Sequence, residues 1–150
     1  MKKQIKIVLT AALLLSAGLQ LMAQTPVTPV KAYKPASPEG EFSVFSSITK
    51  YLAAGDVASL SSWFADNLDL TVLSSSRNCS KAQARQILRN FFNTYTPRSF
   101  DVTHKASETN KKYLIGLLNA GGENFQVTIY ATSSNGEPYL IQQLGIARSY

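Results

Sequence analysis

The run SFDVTHK holds the chain's one histidine, His104. A general acid or base needs a titratable side chain beside a partner that shifts or orients it, and imidazole is the commonest choice. Strict alternation predicts Phe100, Val102 and His104 on one face of a strand, with Asp101, Thr103 and Lys105 on the other. The carboxylate best able to serve the histidine is Asp69, but the run LDLTV sets it opposite Leu68 and Leu70, so it points outward. Without a partner, His104 reads as a half-buried wall residue bonded to backbone or water.

Other reactive groups are sparse. One cysteine, Cys79, and one histidine make neither an internal disulfide nor a usual structural zinc site, and no cofactor is expected. The spacings of zincins, α/β-hydrolases, P-loops and dinucleotide sites do not occur. Two binding chemistries remain. Arg77, Lys81, Arg85 and Arg89 recur every four residues, a cationic flank that would meet phosphate, an acidic glycan or an anionic head group, or else simply face water. Trp63, Phe91, Phe100, Tyr113 and Phe125, with His104, are the candidate lining of a pocket for a small hydrophobic ligand. The same aromatic residues, with Phe64 and Phe92, would equally well fill a core.

The elements that must position these residues follow from period. Phe42, Phe45, Ile48 and Leu52 share a helical face that stops at AAGD, and Asp56 caps a second helix through Val57, Leu60, Trp63 and Phe64. LDLTV is a half-buried strand ended by SSSRN. Ser80 and Gln83 have the spacing of a capping box, opening a helix whose stripe is Ala84, Ile87, Leu88, Phe91 and Phe92. Four strands follow Pro97, and the turns AGGE and SSNGE make the last three an antiparallel meander. Helices segregated from an antiparallel sheet define an α+β fold with the helices on one face. YLIGLL and YLIQQLGI are apolar on both faces, setting Tyr139 and Ile141 against Leu140, Leu144 and Ile146. That predicts a covered convex face, most simply a homodimer.

Before the domain, Lys2, Lys3 and Lys6 precede a short apolar run from Ile7 to Leu15, the pattern of a secretory signal ending near Ala23. Residues 24–40 carry four of the six prolines and read as a disordered tether, and residues 41–150 as one domain. The net charge of +6 less the three leader lysines leaves +3, too little to predict a nucleic-acid partner. No membrane insertion is expected once the leader is removed.

The combination of FSSITKYLAAGDVASLSSWF, SKAQARQILRNFF, SFDVTHK, YLIGLL and YLIQQLGI resembles the secreted Bacteroidetes proteins called domain of unknown function 4783, over roughly residues 42–147. That resemblance implies a nuclear-transport-factor-2-like cone of three helices on a curved antiparallel sheet, and a periplasmic or secreted protein of a Gram-negative envelope. It assigns no residue a role. The resulting expectation is a non-catalytic domain that binds a small apolar ligand or a protein, with an isomerase-like or hydrolase-like enzyme using His104 as the alternative.

Overall fold

The structure, a computed structural model, describes residues 42–150. The expected leader and proline-rich tether lie outside the described residues. Helix α1, Ser43–Ala54, buries Val44, Phe45, Ile48 and Leu52 and ends at Gly55, whose φ of 67° is the left-handed conformation that glycine adopts without a steric cost. Gly55 also lets Pro97 approach, since a Cβ there would lie 2.7 Å from the proline ring.

Asp56 caps α2, Val57–Ser61, as its spacing predicts. Its carboxylate accepts the Ser59 N–H at 3.0 Å and the Ser59 hydroxyl at 2.6 Å. The hydroxyl bond, then the amide bond, holds the Asp56 carboxyl below its ordinary range. The helix is shorter than its apolar spacing predicts. The Trp63 carbonyl accepts the Ile141 N–H at 2.7 Å, so sheet pairing takes over the backbone and Phe64 opens strand β1, Phe64–Val72.

Leu73, with φ at 58°, turns the chain into β2, Ser75–Ser80, which pairs antiparallel with β1. The Ser-rich run was expected to end the strand and instead forms an edge strand. Only Cys79 of β2 is buried, so a solvated edge leaves no apolar alternation to read. Its order comes from polar cross-strand pairs: the Thr71 hydroxyl donates to Ser76 Oγ at 3.0 Å, and the Asn78 amide to Asp69 Oδ1 at 2.8 Å.

The capping box of α3, Lys81–Thr94, forms as its spacing requires. Ser80 Oγ accepts the Gln83 N–H, and Gln83 Oε1 accepts the Ser80 N–H. Strands β3 (Pro97–Glu108), β4 (Lys111–Ala120), β5 (Glu123–Thr132) and β6 (Leu140–Arg148) complete a six-stranded sheet of order β2-β1-β6-β5-β4-β3. The β4-β5-β6 meander is antiparallel; β1 and β6, at the join with the first hairpin, run parallel. α1 packs on β3 and β4, α3 on β1 and β2, and α2 touches both helices. The fold is a nuclear-transport-factor-2-like α+β cone, three helices on a curved sheet.

Two of the sheet's register shifts decide which side chains of β6 and of the middle of β3 face inward. In β6 the ladder slips at Gln142, so Ile141, Leu144 and Ile146 are all buried on the helix side. The expected opposition of Ile141 to Leu144 and Ile146 is therefore corrected, and much of the apolar surplus assigned to the convex face belongs to the core. In β3 the ladder pairs Val102 with Gly116 and then His104 with Ile115, leaving Thr103 as the extra residue. Phe100 and Val102 stay on the inner face, and past the bulge Lys105, opposite buried Leu114, takes the inward position.

Candidate functional site

The bulge moves His104 out of the cone. It is exposed, faces the convex side with Asp101 and Glu108, and makes no hydrogen bond or ion pair to a carboxylate among the described residues. Its expected place as a cone wall residue beside Phe100 and Val102 is overturned, because strict alternation fails at Thr103. Asp69 does point outward as read, where Asn78 holds it.

The aromatic candidates divide into three groups. Phe125 is fully buried and Phe91 nearly so, and their rings meet edge to face at 5.1 Å, with Tyr95 5.0 Å from each. Trp63 and Phe100 are half-buried against the same core. The Phe100 ring lies over Gly116, where a Cβ would collide with it and stand 2.9 Å from the Asp101 carbonyl oxygen. Tyr113 is outside, paired with Tyr130 on the convex face. These residues do not converge on one pocket: most pack the interior, and one belongs to the opposite side of the sheet.

The cationic flank is likewise dispersed, with Arg77 and Arg89 exposed, Lys81 and Arg85 half-buried, and Arg77 donating to Ser75 Oγ at 3.0 Å. Burial pushes the Cys79 thiol up, and Arg77 opposes the shift in part. Among the described residues no group of histidine, cysteine or carboxylate side chains could hold a metal ion, and no helix is long and apolar enough to cross a membrane.

The chemistry that the fold does assemble lies where α1 meets β3 and β4. An open cleft of about 430 Å³ has Phe45, Val102 and Leu114 as its floor, Ser43, Ser46 and Thr49 along its helical wall, and Phe42 and Lys105 at its rim. Val102 is 41% exposed, a large apolar side chain left open to solvent on the inner face. The Lys105 ammonium stands 4.9 Å from the Phe42 ring centre, and Lys112 approaches the same ring at 5.3 Å and that of Tyr139 at 4.9 Å. Lys112 is only 7% exposed and donates to Ser107 Oγ at 3.2 Å. Phe42 is fixed by a stacked contact with buried Phe45.

Sequence reasoning missed both lysines. For Lys112 a signal was there: it precedes Leu114, Gly116 and Leu118 at strict two-residue spacing, a cation on the apolar face of its strand. Lys105 had none, since the bulge decides its side.

The domain of unknown function DUF4783 matches residues 45–147, most of the chain. The chain belongs to the DUF4783 family. A DUF4783 protein from Bacteroides uniformis superposes with a TM-score of 0.67 at 23% identity, covering 70% of this chain and 96% of its own. Another, from Bacteroides ovatus, gives 0.66 at 24%, covering 70% and 94%. An NTF2-like protein of unknown function from Cytophaga hutchinsonii gives 0.52 at 13%, covering 71% and 87%. No curated protein matches the chain. At these identities the structural likeness establishes the fold of this DUF4783 domain and leaves its chemistry to its own residues.

Proposed function

We propose that this DUF4783 domain works without catalysis in the cell envelope, and that it binds protein through the convex face of its sheet, with a second copy of itself as the partner. The observation that carries the reading is the charge pattern of that face. On β4, β5 and β6 the outward side chains from Tyr113 to Asn119, from Gln126 to Thr132 and from Gln143 to Ala147 include no charged residue. Tyr113, Ile115, Leu117 and Tyr130 form its apolar stripe, while Lys111 at the start of β4, Asp69 on β1 and Asp101, His104 and Glu108 on β3 flank it.

Depletion of charge at the centre, with tyrosines inside a polar rim, is the composition of an interface core. The uncharged centre gives an oppositely charged partner nothing to match there, and a twofold axis lets it cover itself. His104 lies outside the cone and, among the described residues, bonds to no carboxylate, which weighs against an enzyme that would use it with an acid partner. The test is sedimentation velocity on the purified exported protein. The parent is expected to sediment as a dimer and Ile115→Lys as a monomer with an unchanged far-ultraviolet spectrum. A parent that stays monomeric at the highest attainable concentration would refute the proposal.

A further inference from the structure

We infer that the cleft between α1 and β3 binds a small amphipathic carboxylate, its acid group on Lys105 and its apolar body on Val102, Phe45 and Leu114. The inference concerns the inner face and is independent of pairing through the convex one. Two ammonium groups converge on one phenyl ring, yet among the described residues neither has a carboxylate within ion-pair distance. The sole ion pair among those residues joins Arg148 to Glu123, at the other end of the sheet.

A ring face attracts a cation weakly and a hydroxyl satisfies one of three N–H donors, so a nearly buried Lys112 adds positive field behind Phe42 with no carboxylate among the described residues to balance it. That field favours an anion at Lys105, the cation that lines the cleft. The rest of the lining selects the kind of anion. One lining cation suits a monoanion better than a phosphate dianion, which draws on several charged donors. An apolar floor with Val102 open to solvent rewards a hydrocarbon body, and the hydroxyls of Ser43, Ser46 and Thr49 supply neutral donors along the wall.

The experiment titrates isotopically labelled protein with decanoate below its micelle concentration, with decan-1-ol as the uncharged control, and follows amide shifts by NMR. Decanoate is expected to move the amides of Ser43, Val102, Lys105 and Leu114 and to bind at least about tenfold more tightly than decanol. Lys105→Met, which keeps the stem and removes the charge at an exposed position, should lose that advantage, and Lys105→Arg should retain most of it. Equal binding of decanol, unaltered decanoate affinity in Lys105→Met, or shifts centred on another part of the surface would each overturn the inference. So would decanoate binding that emerges only in Glu41→Gln, because the protein's own acidic residue would then be the anion.

Discussion

The two ends of the inner face solve one problem differently. At one end Arg148 meets Glu123 at 2.9 Å and donates to the Tyr95 hydroxyl at 2.9 Å, and Tyr95 leans on Phe91 and Phe125. Cation, counter-ion and aromatic packing are all present, and the strands close. At the other end Lys105 and Lys112 have aromatic rings and a serine but, among the described residues, no acid, and a cleft stays open beside them. Local stability and an available site are thus separated along the same strands, with β4 running from Lys112 at the open end to Ala120 at the closed one.

Substitutions at the two ends should differ in sign as well as size. The largest effect belongs to the closed end. Phe125→Ala removes a fully buried ring from the centre of the aromatic cluster and should cost about 3–5 kcal/mol, read as a lower urea midpoint with an unchanged slope. At the open end Lys112→Met should stabilise the fold by about 1 kcal/mol, because replacing a buried cation that has no carboxylate partner among the described residues with an apolar chain of similar length relieves desolvation. A clear loss of stability in Lys112→Met would mean that the ammonium is already balanced, and the contrast between the ends would fall. Glu123→Gln should have the smallest effect. Both partners of that ion pair are more than two-fifths exposed, so any difference from the parent should vanish in high salt.

The capping box at Ser80, the Asp56 cap and the meander of β4 to β6 were legible because each depends on neighbouring residues or on turns such as Gly121–Gly122, both at positive φ. Strand β2 was not, since an edge strand with one buried residue has no reason to alternate. The face of His104 was misread for a different reason. Alternation counts residues, and neither the insertion at Thr103 nor the one at Gln142 leaves a mark in composition; both are visible only in the register of the partner strand. The open end was half legible through Lys112 and illegible through Lys105, so the site could not be assembled from the sequence.

Thr103 gives the cone a means of change that needs no new side chain. As the extra residue of β3 it has no counterpart on β4, although its hydroxyl reaches the Ile115 carbonyl at 3.2 Å. Among the described residues β3 is also the last strand of the sheet, with no further neighbour to be thrown out of register. Deleting Thr103 would close the bulge and leave both faces as they are, since Val102, His104 and Lys105 would then pair in turn with Gly116, Ile115 and Leu114. A slip of β3 that keeps Thr103 and pairs it with Ile115 would instead turn His104 toward the helices and Lys105 toward solvent, with the downstream turn one residue longer. A one-residue slip would thus exchange the lysine at the cleft for an imidazole. Relatives of this chain can be sorted by the register of β3 on β4, since that register, more than the identity of any lining residue, sets which side chain the cleft presents.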